Sequence, residues 1–172
     1  IKNAIDKNYI VCCDITAPGN SKEFNRLKAL GLITNHSYYV LETAELSDIK
    51  GEKIQLLRVK NPWGTNEWDG DWSDKSSKWT EDYKKALNYE DKEDGIFWIS
   101  IKDYLKFYTT THICHERENF NYESAVLSFN KTKPVNFYKV KIPNKSSGAI
   151  IVNQKNSRIY KNVKNENFEN HY

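Results

Sequence analysis

Two short segments carry residue types that could do chemistry together. His36 lies in Asn35-His36-Ser37-Tyr38-Tyr39-Val40, and Asn61 opens Asn61-Pro62-Trp63-Gly64 further along the chain. An imidazole beside a thiol takes its proton and stabilises the resulting thiolate. A neutral carboxamide accepts a hydrogen bond from the far ring N–H and orients the imidazole without adding a charge, as in the Cys-His-Asn form of the nucleophile–base–orienter set. A Trp next to the Asn, here Trp63, is placed to shield that bond from water. No cysteine of the chain stands as an obvious nucleophile. The pair therefore reads as two thirds of a site whose sulfur lies on another part of the protein, outside these 172 residues. Taken alone, His36 would read as a half-buried strand histidine; its spacing to Asn-Pro-Trp-Gly turns the reading toward chemistry.

Such a pair needs elements that bring it together. Residues 36–46 and 52–60 are both strand-like and joined through Ser47-Asp48-Ile49-Lys50-Gly51, which predicts an antiparallel hairpin. His36 begins one strand and Asn61 follows the end of the other, so antiparallel pairing makes them neighbours. Residues 1–7 read as the end of a helix stopped by a left-handed Asn8, and 9–15 as a buried strand. Ala17-Pro18-Gly19-Asn20-Ser21 is turn chemistry. A short helix follows, with Ser21 as its N-cap and Gly31 as its stop. Trp63, Trp68, Trp72 and Trp79 punctuate a long loop, of the kind that is usually functional in a compact domain. Residues 95–101 are a further strand, and Ser100-x-x-Asp103 a capping box opening a helix through Tyr108.

Composition narrows the classes. The chain has 172 residues, 26 basic and 23 acidic, for a net charge of +3. The Lys residues are scattered and form no basic stripe, which argues against nucleic acid as a partner. No apolar run approaches the roughly 20 residues of a membrane-spanning helix. Cys12, Cys13 and Cys114 are an odd count with two adjacent members, unlike a disulfide framework, and point to a reducing, cytoplasmic compartment. A start at Ile1-Lys2-Asn3-Ala4 and a count of 0 Met suggest an internal piece of a longer protein. Past residue 114 the texture turns polar, then strand-like over 135–142 and 148–152. Two domains are expected, 1–117 and 118–172, the second a linker with the first strands of a truncated β-sandwich.

The same residues carry a family resemblance. Asn35-His36-Ser37-Tyr38-Tyr39-Val40 resembles the Gly-His-Ala-Tyr-Ser-Val segment of calpains. Arg58-Val59-Lys60-Asn61-Pro62-Trp63-Gly64, with Glu67-Trp68, Gly70 and Trp72-Ser73-Asp74, resembles their Asn-loop. Glu93-Asp94-Gly95-Ile96-Phe97-Trp98-Ile99-Ser100 is similar to a later Glu-Asp-Gly-Glu-Phe-Trp-Met-Ser stretch, and His112-Ile113-Cys114 to the Glu-Ile-Cys that closes the protease core. The likeness covers most of residues 1–114. Papain-type enzymes share only the His and the Asn-x-Trp-Gly, so calpain is the sharper identification.

The resemblance implies an α+β fold: an antiparallel β-sheet or barrel subdomain of the papain-like cysteine protease fold, with few short helices, followed by a partial β-sandwich. It implies His36 as catalytic base, Asn61 as its orienter and Trp63 as active-site support, acting with an upstream nucleophile-bearing subdomain on protein substrates. It also implies calcium ligands at Glu67, Asp74 and Asp94, with a backbone carbonyl near Lys92. Ile96 stands where a further Glu is expected, so calcium binding should be weak or absent. Asn35 replaces the family's Gly. The tail resembles the opening strands of a C2-like domain, whose Lys residues would offer weak contact to acidic phospholipid or simply a solvated face. Cys12 and Cys13 read as small buried hydrophobes. Zinc at Cys114, His112 and His115 is disfavoured by cramped spacing and the lack of a fourth ligand. The alternative function is a catalytically inactive pseudoprotease serving as an interaction scaffold. A third reading is a lipid- or protein-binding β module beside a decayed protease half.

Overall fold

The computed structural model describes residues 1–115 and, beyond them, Ser124, Lys139, Lys141, Gly148, Ile150 and Ile151. The chain divides into two units, Ile1–Asn121 and Tyr122–Tyr172, and the elements below all belong to the first. The tail strands and the C2-like sandwich expected from the sequence lie outside the described residues.

The elements in order are α1 (Lys2–Ile5), β1 (Ile10–Ile15), α2 (Ser21–Ala29), β2 (His36–Ser47), β3 (Lys53–Lys60), α3 (Glu81–Ala86), β4 (Ile96–Ser100), α4 (Ile101–Phe107) and β5 (Thr110–Cys114). The strands form one antiparallel sheet in the order β4-β3-β2-β1-β5. The α+β class with few short helices is as expected. The hairpin stands at β2 and β3, and Asn8 and Gly31 both hold positive φ at the expected helix stops.

Alternation along β1 sets the main core. Val11, Cys13 and Ile15 are buried, whereas Ile10 is exposed and Cys12 and Asp14 half-buried. Their partners Val40, Tyr38 and His36 on β2 face the same side. Between Val40 and Glu42 the register shifts by one residue, a β-bulge that leaves Leu41 extra and exposed. Because side chains alternate with period two, one extra residue moves even-numbered positions to the opposite face. Tyr38 and Val40 therefore pack in the main core with Leu57, Val59, Phe97 and Ile99. Ala44 and Leu46 instead meet a second cluster built on Leu56, Trp72, Trp79 and Trp98. Trp72 and Trp79 of the Trp-rich loop thus cover the far face of β3 and β4, edge-on to each other at 5.1 Å between ring centroids.

Two local expectations are corrected, and two elements are added. The cap of α2 is Asn20, not Ser21: Asn20 has the extended backbone a cap requires and its Oδ1 accepts the Glu23 N–H at 2.8 Å. The first helix is limited to Lys2–Ile5, one turn being all that precedes the left-handed Asn8. Helix α3, which the sequence does not predict, follows the Trp-rich loop with Thr80 as its cap and buries no residue, so it has no apolar stripe to reveal it. Strand β5 is likewise not predicted from the sequence; every residue of it is exposed, and it is held by its ladder to β1 at the sheet edge. Ser100 caps α4 as expected, its Oγ accepting the Asp103 N–H at 3.0 Å, while the Asp103 carboxylate accepts from the Ser100 hydroxyl at 2.7 Å in place of the backbone N–H of a full capping box.

Candidate active site

His36 enters the sheet as the first residue of β2, opposite Ile15 of β1. Asn61 follows the last residue of β3, whose Lys60 pairs with Tyr39. The hairpin register therefore brings the two ends to one rim. There the His36 Nε2–H donates to Asn61 Oδ1 at 2.8 Å.

The Asn61 end of this bond is heavily determined. Asn61 is fully buried. Its Nδ2 donates to the Thr65 carbonyl at 2.6 Å and the Asn66 carbonyl at 3.2 Å, and its Oδ1 also accepts the Trp63 N–H at 3.1 Å. Two carbonyls against the amide nitrogen leave the oxygen no choice but to face the ring. An Asp here would point carboxylate lone pairs at the same two carbonyls, which is why an amide suits the position. Since Oδ1 can only accept, the neutral imidazole carries its proton on Nε2, and Nδ1 keeps a lone pair for another proton.

The ring is also held on its faces. Trp63 lies 4.3 Å from it between centroids, tilted by 46°, and is itself 61% exposed. Tyr38 meets it edge-on at 5.0 Å. Trp63 thus covers the imidazole from the solvent side, and buried Tyr38 supports it from the core. Tyr38 is in turn fixed by accepting the Ile33 N–H at 2.8 Å.

Two residues for which the sequence predicts no such role brace the Asn-loop. The Asn61 N–H donates to the Gly95 carbonyl at 2.7 Å. Gly95 has φ of +81°, and a Cβ there would stand 2.6 Å from the Asn61 carbonyl oxygen and 2.8 Å from Gly64 Cα. Glu67 Oε1 accepts the N–H groups of both Asp94 (2.9 Å) and Gly95 (2.6 Å), tying the loop to the start of β4. The Asp-Gly dipeptide ahead of a strand is the available sequence signal for Gly95.

None of the three cysteines is a partner for the ring. Cys13 is buried, and burial is the main cause pushing its thiol up to about 12, so it stays protonated. Cys12 is half-buried on the opposite face of β1, also raised by burial and then by Asp14 and Cys114. Cys114 is exposed on β5, where His112 is engaged with Asp14 Oδ2 at 2.8 Å.

Glu67 and Asp74 are both perturbed by burial and by neighbouring acids. Burial first and Glu67 second push the Asp74 carboxyl up to about 7, and Glu67 is raised by burial with added repulsion from Asp94 and Glu93. Among the described residues Asp74 Oδ2 is buried without a partner, which a cation would remedy. Yet one Glu67 oxygen is committed to two N–H groups, Asp94 Oδ1 accepts the Ile96 N–H at 2.9 Å, and Ile96 offers no side-chain oxygen. Among the described residues no three His, Cys, Asp or Glu side chains are grouped to hold a metal ion. Ile96 thus leaves the ligand set implied by the resemblance one carboxylate short.

An imidazole held by a buried carboxamide on one nitrogen and, among the described residues, without a partner on the other is the arrangement by which a Cys-His-Asn thiol protease holds its base. Comparison with known proteins agrees with that class. The family model of the calpain family cysteine proteases matches residues 1–115, and the chain belongs to that family. Calpain-9 of Mus musculus is 33% identical over 118 residues, 67% of this chain and 17% of the relative. The calpain-1 catalytic subunit of Rattus norvegicus is 31% identical over 120 residues, 67% of this chain and 16% of the relative. Calpain-13 of Rattus norvegicus is 31% identical over 118 residues, with 67% and 17% covered. The match thus spans about a sixth of the length of these relatives.

Proposed function

We propose that this chain is the base-bearing half of a calpain-like cysteine endopeptidase, completed by a cysteine on an upstream subdomain. The carrying observation is the Nε2–Oδ1 bond of 2.8 Å between His36 and a fully buried Asn61. It leaves Nδ1 as the only ring nitrogen available to a thiol. In this reading His36 Nδ1 takes the thiol proton, and the thiolate attacks the carbonyl carbon of an internal peptide bond. The imidazolium returns its proton to the departing amine as the C–N bond breaks. Water, deprotonated by the same nitrogen, then cleaves the thioester and restores the thiol. Asn61 keeps the ring in register through both half-reactions, and Trp63 limits water at the Nε2–Oδ1 bond.

The substrates are proteins; the C2-like reading of residues 118–172, with at most weak phospholipid contact, concerns a stretch that lies largely outside the described residues. Among the described residues no helix is long and apolar enough to cross a membrane, and the lack of disulfide-type cysteine spacing supports an intracellular setting. Calcium at Glu67, Asp74 and Asp94 is weak or absent because Ile96 and the committed oxygens leave too few ligands. Calorimetric titration to about 1 mM calcium, the weak end of protein calcium sites, should give no binding heat.

The test is peptide hydrolysis by the full-length protein. His36→Ala should lower turnover by about 10³-fold or more, and unchanged turnover would refute the assignment. A full-length protein with Ser, Gly or Lys in place of the upstream cysteine, and no cleavage, would favour the scaffold reading.

A further inference from the structure

The two ends of the His36–Asn61 bond are not held alike. Four side-chain hydrogen bonds determine the Asn61 carboxamide. Among the described residues, the His36 ring is held, besides by the bond to Asn61, by its contacts with Trp63 and Tyr38 and its place at the end of a ladder. What holds the backbone just before His36 therefore bears on where the imidazole points.

That residue is Asn35. It has φ of +53°, a left-handed conformation that costs most side-chain-bearing residues free energy. Gly, which the calpain pattern carries at this position, would adopt it without strain. Asn35 uses its side chain instead. Its Oδ1 accepts the Ala17 N–H at 3.1 Å, and its own N–H donates to the Ile15 carbonyl at 2.7 Å. Both bonds go to the segment leaving β1, one on each side of Thr16. That segment is itself anchored: Thr16 N–H donates to Thr109 Oγ1 at 2.9 Å, and the Thr109 N–H donates to the Asp14 carbonyl at 2.9 Å. The chain from β1 to the first residue of β2 is thus closed by a side-chain clamp one residue before the imidazole.

We propose that Asn35 is a positioning residue for His36, its carboxamide clamp to Ala17 fixing the backbone from which the ring reaches Asn61. The clamp replaces conformational freedom at this position with a defined entry into β2. Its importance to chemistry rests on the assignment of His36 as the proton carrier. Its effect on the ring does not. Of the other residues, only Asp shares both requirements, a short side chain tolerant of the left-handed region and an oxygen that can accept the Ala17 N–H.

The test is nuclear magnetic resonance on the full 172-residue chain, reading solvent exchange of the His36 Nε2 proton and the nitrogen shifts of its ring. Asn35→Gly relieves the strain of the positive φ and deletes the side-chain clamp. It should speed ring-proton exchange about five-fold, the factor expected for one ordinary hydrogen bond, while the Val59 amide of the core stays as protected as before. Asn35→Asp should keep exchange near that of the parent chain. The proposal is overturned if Asn35→Gly leaves the ring proton unchanged, if Asn35→Asp exchanges as fast as Asn35→Gly, or if Val59 loses protection in step with the ring. Because the readout is a ring proton, it succeeds or fails separately from the protease assignment, which the His36→Ala cleavage assay decides.

Discussion

Replacing Asn61 by Ala removes the one side chain on which the loop and the ring both depend. Four bonds go at once: the two from Nδ2 to the Thr65 and Asn66 carbonyls, and those Oδ1 receives from His36 and Trp63. The ring and the Trp63 N–H lie near the rim, where water can replace their partner at little net cost. The two carbonyls face the fully buried side chain and lose partners that water reaches less readily. At about 1 kcal/mol for each of these two, with about 1 kcal/mol more for the space left, the sum is about 3 kcal/mol. Against a total stability of about 5–15 kcal/mol this is a large change. Urea unfolding of the 172-residue chain, followed by tryptophan fluorescence, reads it directly. Asn61→Asp should cost at least as much, since its second oxygen would confront the same carbonyls. A loss below about 1 kcal/mol for Asn61→Ala, less than the two buried bonds alone require, would refute the view that the carboxamide is fixed by its loop.

Trp63→Ala should behave oppositely: the side chain is 61% exposed, so stability should change by no more than about 0.5 kcal/mol, while His36 Nε2 proton exchange accelerates; a protected ring proton in that variant would exclude shielding by Trp63. Gly95→Ala must fit a Cβ at 2.6 Å from the Asn61 carbonyl oxygen and at positive φ, and should cost about 3 kcal/mol by urea unfolding; a cost near zero would mean the Asn-loop is not braced on β4. For Asp74, a carboxyl raised to about 7 from 3.8 keeps its proton in the folded state over a range where the unfolded chain has released it. The folded state then binds the extra proton, so this group's contribution falls as pH rises from about 4 through about 7. Urea midpoints of the parent chain should decline across that window relative to Asp74→Asn, and a parallel pair of curves would count against the burial of Asp74.

The hairpin and its consequence for His36 and Asn61 are legible because strands of alternating apolar residues flank an obvious turn, and antiparallel pairing leaves little choice about which ends meet. The β-bulge is not. A single extra residue, Leu41, reverses the facing of everything after it, and no local residue preference announces that. Helix α3 and strand β5 escape for a shared reason: neither has a fully buried residue, so neither leaves a periodic apolar trace. Asn61 can be read as an orienter from its neighbours Pro62, Trp63 and Gly64. The bracing by Glu67 and Gly95 depends on contacts between loops 28 positions apart, and from sequence Glu67 resembles a calcium ligand. Asn35 is visible only as a departure from a Gly. Its positive φ and its bond to Ala17 emerge only in three dimensions.

The distance from His36 Nδ1 to the upstream cysteine sulfur, in a crystal structure of the full-length protein, bears most directly on whether this rim is half of a protease site. The sulfur should lie within hydrogen-bonding reach of Nδ1 while Nε2 still donates to Asn61 Oδ1, as it does at 2.8 Å in this chain. A sulfur held against Nε2, a ring turned away from Asn61, or a neighbouring subdomain docked elsewhere would contradict it.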